Sequence, residues 1–298
     1  LTGAPLFRVG LSQASITVAR MPRFGVGSVG AVEQLACAGA PATNATTSPV
    51  ATPAATDANE PWRPAVERLA QWLSEHKGQH TSMRVQVVLS GRFVRWQLLP
   101  WRVELSGHNE LAAYAALRFR ETYGKAVQGW NILPTAMPPG HTTPAAAVDR
   151  ALVDALNASC KAHGARLQLL TPYFSSAFDA WQGRIKGHAA WFGTLEADTL
   201  TLGLLQGGQW AALQTQRWSN DWREPLRALM AQIALSCDVP GDVSVAAQAE
   251  GATPVSLPLY LAGDMAAPTP QASMPFTWLA PPQLAQRSPA GLRLAMGL

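Results

Sequence analysis

The sequence predicts an α/β protein of two similar halves, and three observations carry that reading. Three short strand-like runs, then an amphipathic helix, then a further strand occur near the start of the chain, and the same order returns after residue 187. A chain of 298 residues is long for a single core and suits two lobes of ~150 residues each. No run approaches the ~20 consecutive apolar residues of a membrane-spanning helix, so the apolar residues are read as folded interior.

The elements follow in order. Phe7 to Leu11 and Ser15 to Ala19 are β-prone runs separated by small polar residues, which predicts a hairpin, and Val29 to Cys37 adds a third strand. Residues 38–60 contain almost only Ala, Thr, Pro, Ser and Asn, and are expected to form a flexible surface loop. Trp62, Val66, Leu69, Ala70 and Leu73 then recur at helical spacing, with Pro61 and Pro64 tolerated in the first turn. Met83 to Ser90 and Phe93 to Pro100 are strand runs, and Gly91 with Arg92 between them predicts a two-residue hairpin turn. Asn109 to Tyr123 reads as a helix stopped by Gly124, and Gly129 to Leu133 as a linking strand. Thr143 is expected to cap, and Pro144 to start, a helix that buries Val148, Leu152, Leu156 and Cys160 and ends at Gly164. Arg166 to Leu170 is a short strand, followed by a helix from Ser175 to Gln182.

The opening pattern then repeats. His188 to Leu195, Thr199 to Leu205 and Gln209 to Arg217 form a second three-strand meander. A helix marked by Trp222, Leu226, Leu229, Met230 and Ile233 follows, then a strand from Val255 to Ala262. The expected organisation is one lobe over 1–135, a second over 136–264, and a Pro- and Ala-rich tail over 265–298. That tail is expected to be loosely attached except for one extended segment around Phe276, Trp278 and Leu279.

Composition narrows the function classes. Only 14% of residues are charged, against roughly 25% in an ordinary domain, which leaves much neutral surface. Residues 1–20 lack the basic start and apolar block of a signal peptide, so a cytoplasmic location is expected. Cys37, Cys160 and Cys237 form no CxxC pair and read as small reduced core residues. The net charge of +4 comes from scattered arginines that do not interleave with the 11 tryptophans as a nucleic-acid site requires. His76 and His80 have i, i+4 spacing, but Gly78 breaks the helix between them, which argues against a metal pair. No GxSxG, HExxH, P-loop or GxGxxG motif occurs, and Gly25, Gly27 and Gly30 miss the dinucleotide spacing. No catalytic nucleophile is assigned.

The segments FRVGLSQASITVAR, RVQVVLSGRFVRWQLLPW, HAAWFGTLEADTLTLGLLQGGQWAALQTQRW and VSLPLYLAGDMA, in that order, resemble the bacterial PilM branch of the actin, sugar kinase and heat-shock ATPase superfamily. PilM is the actin-like protein of type IV pilus assembly, and the secretion protein GspL and the pilus-associated MshI have related domains. The resemblance covers most of residues 6–264 and implies a duplicated, two-lobed actin-like (ribonuclease H-like) fold.

It also implies where a nucleotide site belongs. Active members hold ATP and magnesium with two hairpins, each carrying an acidic residue and a Gly-rich turn whose N–H groups meet the phosphates. Here Ser12 stands at the first acidic position and its turn has no glycine, while Thr194 stands at the second. Glu196 and Asp198 follow in that turn and would set negative charge against phosphate. Only Gly263, after LYLA, resembles the turn under the adenosine ring. These three positions are read as a degenerate cofactor site, with no cofactor assigned and ATP with magnesium in doubt.

The leading expectation is therefore a non-enzymatic scaffold of a type IV pilus or type II secretion-like machine. It would dock the cytoplasmic tail of a PilN-like inner-membrane protein and sit at the membrane through that partner. Arg92, Arg95, Trp96 and Trp101 are the partner-binding candidates, because Arg and Trp dominate interface hot spots, with ordinary sheet packing as the alternative. Trp218 and Trp222, beside Arg217 and Arg223, either line the cleft between lobes or staple a helix start. The rival is an ATPase or small-molecule kinase of the same superfamily, using Glu196, Asp198 and Asp264 around magnesium.

Overall fold

The computed structural model describes residues 4–22, 29–37, 60–78, 82–105, 107–187, 189–237, 257–269, 274–280 and 291–298. The predicted loop over 38–60 lies outside them, apart from Glu60. The first sheet has the order β3-β2-β1-β4-β8 and the second the order β11-β10-β9-β12-β13. In the first, β1 (Leu6–Leu11), β2 (Ser15–Arg20) and β3 (Val32–Ala36) make the antiparallel meander, and β4 (Met83–Leu89) and β8 (Ala165–Pro172) run parallel to β1. In the second, β9 (Ala189–Leu195), β10 (Thr199–Gln206) and β11 (Gln209–Arg217) make the meander, and β12 (Leu259–Gly263) and β13 (Thr277–Leu279) add in parallel. Strand order and direction thus match between sheets, as the repeated sequence pattern predicts.

The helices take the faces their periodicity specifies. In α1 (Arg63–Glu75), Val66, Leu69, Trp72 and Leu73 are buried, and the Trp72 ring meets Phe7 of β1 edge-on at 5.2 Å. In α5 (Arg223–Ser236), Leu226, Leu229 and Ile233 pack on the second sheet. Truncating any of these buried leucines to alanine costs about 2–5 kcal/mol. α4 (Tyr173–Trp181) joins the two sheets, and its Phe174 ring lies 5.3 Å from Phe192 and 5.3 Å from Trp210 of the second sheet. Residues of both sheets accordingly share one apolar core.

Four expectations are corrected. Gly91 and Arg92 do not form a hairpin: Gly91–Phe93 is a single 3-10 turn, with the Ser90 hydroxyl accepting the Arg92 N–H at 3.2 Å. Both edges of β4 are taken by β1 and β8, so β5 (Val94–Leu99) finds no place beside it and pairs instead with β7 (Thr143–Asp149) in a separate three-stranded sheet. β7 is the second correction, since its residues were expected to begin a helix. It lies between β5 and β6 (Trp130–Pro134), and two ladders of hydrogen bonds outweigh the helix preference of its alanines. Pro144 is tolerated close to the strand end. The helix α3 (Arg150–Ala162) starts later, capped by Asp149, which accepts the Ala151 N–H at 3.2 Å.

The third correction concerns the division of the chain. Because β8 completes the first sheet, strand pairing places the change of lobe at α4, after residue 172, rather than at 135. Residues 94–149, with α2 (His108–Tyr123), are an inserted unit of the first lobe built around Leu99, Ala115 and Phe119. The fourth concerns the tail. Trp278 and Leu279 do anchor an extended segment, β13, but residues 291–298 are far from loose. Leu292, Leu294 and Ala295 of α6 (Leu292–Met296) are buried against β1, β2 and β4.

Candidate functional site

The two hairpin turns assigned to phosphate contact differ in chemistry. In the first, the Ser12 hydroxyl donates to the Ser15 carbonyl at 2.8 Å and accepts the Ser15 N–H at 3.1 Å. The Ser12 N–H also bonds the Ser15 carbonyl at 3.1 Å, so the turn satisfies itself. In the second, Thr194 is fully buried and its hydroxyl has no hydrogen-bond partner among the described residues. Thr194 and Glu196 share a face of the strand with Ala190 and Phe192, the face turned toward α4 and the first lobe.

Glu196 is the pivot of the site. Its side chain is buried, and Oε1 accepts the Gly91 N–H at 2.8 Å, a bond from the second lobe to the end of β4 in the first. Burial pushes its carboxyl up to about 8, although the Ser90 hydroxyl and the Gly91 N–H pull the other way. The approach depends on glycine, since a Cβ at position 91 would lie 2.8 Å from Thr201 Oγ1 and 3.0 Å from Glu196 Oε1. Asp198 accepts the Thr199 hydroxyl at 2.8 Å and faces Arg92 at 3.5 Å, a second link between lobes. Thr142 of the first lobe makes a third, its N–H bonding Gln209 Oε1 at 3.0 Å and its hydroxyl the Trp210 carbonyl.

Gly263 closes the far side. A Cβ there would sit 2.5 Å from the Leu195 carbonyl oxygen and 2.8 Å from the Trp278 ring. Its own carbonyl accepts Arg293 Nη1 at 3.2 Å, so α6 lies against the position assigned to adenosine. Asp264 accepts the Gly291 N–H at 2.9 Å and the Leu294 N–H at 3.3 Å, and burial raises its carboxyl to about 6.

The three carboxylates of the rival reading are thus engaged separately, with Gly91, with Arg92 and Thr199, and with α6. Among the described residues no group of three or more His, Cys, Asp or Glu side chains could hold a metal ion. The residues present do not fit a nucleotide with magnesium. A self-satisfied serine, a buried threonine and a carboxyl group stand where metal-orienting acids and open N–H groups are needed.

The partner-binding candidates divide. Arg92 faces Asp198 between the lobes, and Trp96 is buried against Phe174 at 5.8 Å. Arg95 lies over the Trp130 ring at 4.3 Å on the inserted unit, and Trp101 is 47% exposed. Trp218 and Trp222 pack in the second core rather than in the core shared by both sheets, and Trp222, packed on Phe276, stands at the start of α5. His76 stacks on Trp72 and its Nδ1 bonds the Trp72 carbonyl at 2.9 Å, which ties the ring to the helix end; His80 lies outside the described residues. Cys37 and Cys160 are buried thiols, each pushed up to about 11 by burial.

Sequence reading missed the inserted unit as a separate surface. Among the described residues seven large apolar side chains are exposed, and five of them, Trp101, Val103, Leu117, Tyr123 and Leu133, belong to residues 94–149. Trp101, Val103, Leu105, Leu111 and Met137 line a 420 Å³ groove there. It also missed Arg8, Gly10, Thr17 and Arg293, which hold α6. The paired glycines around LRLAM were the one available signal, hidden by the Pro-rich composition before them.

No family model matches the chain, and no curated protein matches it. Solved structures do. The cytoplasmic domain of EpsL, an inner-membrane component of the type II secretion system of Vibrio cholerae, is 14% identical with a TM-score of 0.53, covering 98% of this chain and 93% of that one. A Bacteroides thetaiotaomicron protein of actin-like ATPase fold and unknown function is 10% identical with a TM-score of 0.55, covering 88% and 82%. The PilM–PilN type IV pilus biogenesis complex is 13% identical with a TM-score of 0.51, covering 87% and 81%. The chain therefore has the actin-like fold that its sequence resembles. Among the described residues no helix is long and apolar enough to cross a membrane.

Proposed function

We propose that this chain is a non-enzymatic actin-like scaffold of a pilus or type II secretion-like machine, working on the cytoplasmic face of the inner membrane. It docks a short apolar tail of a PilN-like membrane-anchored protein and binds no nucleotide in its cleft. The observation that carries this reading is the contrast between hairpin turns whose polar groups are taken up by the protein's own bonds and an inserted unit that gathers five of the seven large apolar side chains exposed among the described residues. Val103, in the turn that follows β5, is 70% exposed and Leu133 of β6 68%, and exposed apolar patches of this kind mark interaction surfaces. Arg102, which lies over the Tyr114 ring, lines the groove, and Arg95 lies over the Trp130 ring on the same inserted unit; arginine and aromatic residues are the types that dominate hot spots. The fold is the one found in the EpsL cytoplasmic domain and in PilM bound to PilN, which supports a place in such a machine.

Co-expression with the PilN-like protein of the same cell, followed by capture through this chain, is expected to recover both. Trp101→Ala with Val103→Asp is expected to cut recovery at least about ten-fold without changing the melting temperature, since both side chains are exposed. Recovery unaffected by that pair would sink the docking surface. Micromolar ATP binding in a calorimetric titration with magnesium would sink the nucleotide-free reading.

A further inference from the structure

α6 is held more tightly than a five-residue helix near a Pro-rich stretch needs to be. On the first sheet, Arg8 and Gly10 of β1 and Thr17 of β2 turn toward it. Arg8 Nη1 bonds the Met296 carbonyl at 2.9 Å. Gly10 lets the helix backbone touch the strand, since a Cβ there would lie 2.7 Å from the Ala295 nitrogen. At the other end Gly291, with φ of +88°, passes so close to β2 that a Cβ would fall 1.8 Å from Thr17 Oγ1. On the second sheet, α6 is tied just past β12. Asp264 accepts two of its N–H groups, at 2.9 and 3.3 Å, and the buried Arg293 reaches back to the carbonyls of Gly263 at 3.2 Å and Met265 at 2.9 Å. Tyr173, in the helix that joins the lobes, donates to the Leu298 carbonyl.

A segment bonded to both sheets and to the helix between them resists any change in their relative setting. Each bond is modest, but all are made by one rigid piece, so they break together. Arg293 is the clearest sign. A buried guanidinium whose Nη1 bonds two backbone carbonyls around the end of β12, over the Trp278 ring, is costly to desolvate and fixes that loop against a second body.

We infer that α6 is an internal ligand of the cleft between the lobes: a strap that takes the place of a diffusible ligand, holds the lobes in one setting, and frees them when it detaches. The reading does not depend on the partner proposed above. It fixes what opens the protein, whatever the protein carries.

Site-resolved amide hydrogen exchange tests it, because two N–H groups report lobe closure directly: Gly91, bonded to Glu196, and Thr142, bonded to Gln209. Neither touches α6. In the wild-type chain the Leu294, Ala295 and Gly297 amides are expected to be protected. In Gly291→Val, which α6 can accommodate only undocked, those amides exchange freely, and Gly91 and Thr142 accelerate about ten-fold or more, while Val87 of β4 and Leu202 of β10 keep their rates. Free exchange of α6 with Gly91 and Thr142 unchanged would show that α6 decorates the lobes without holding them. Equal acceleration at all sites would show a general loss of stability and overturn the strap as well. Should Gly291→Val not fold, Arg293→Ala, which removes two ties and adds no bulk, is read the same way with a smaller acceleration expected.

Discussion

The two hairpin turns occupy matching places in matching sheets and have become opposite things. The turn from Ser12 to Ser15 spends its polar groups on itself, whereas the turn from Glu196 to Thr199 reaches across to the other lobe through a buried carboxyl group and an ion pair. Duplication fixes strand order, which depends on pairing and burial along whole strands. It does not fix turn chemistry, which rests on three or four residues that can change without disturbing a ladder. In this chain the second turn bonds to the opposite lobe and the first does not.

The sharpest way to break that contrast is Gly91→Val, which removes the space into which Glu196 docks. A side chain there meets Thr201 and Glu196 at 2.8 and 3.0 Å. A loss of about 3 kcal/mol is expected, at the upper end of overpacking costs, and urea unfolding measures it.

Glu196→Gln gives the next largest effect and has a sign. A carboxyl raised in the folded state from 4.5 to about 8 favours folding below pH 4.5 and loses that advantage as pH rises through 8, because the folded state holds the proton longer. The amide imitates the protonated acid. The variant should therefore match wild type in acid and exceed it above pH 8 by on the order of a few kcal/mol. Asp264, raised from 3.8 to about 6, keeps its own downward slope in the lower window, so Glu196→Gln flattens the range above pH 6, lessens the slope between pH 4.5 and 6 where both groups contribute, and leaves the range below pH 4.5. Thermal unfolding across pH 5 to 9 separates the two, and an unchanged slope above pH 6 would remove Glu196 from its assigned state.

Ser12→Ala should produce the smallest effect. It deletes hydrogen bonds confined to one half-buried turn, and a loss of about 1 kcal/mol or less is expected in the same urea titration. A loss rivaling that of Gly91→Val would mean the first turn also carries the molecule.

The sequence by itself determined the strand and helix order of both halves apart from β7, because alternation in FRVGL or TLTLGLL and the stripe Val66, Leu69, Leu73 are local records of which face is buried. It also showed which acids are missing from the family positions, since Ser12 and Thr194 are legible one residue at a time. Only the tertiary structure decided where strands went when both edges of a neighbour were already occupied, which sent β5 and β7 into their own sheet. It alone placed Glu196 in the dark and α6 against Gly10. Residues 10 and 295 are far apart along the chain, and the small side chains that let two backbones touch leave no periodic trace from which their meeting could be read.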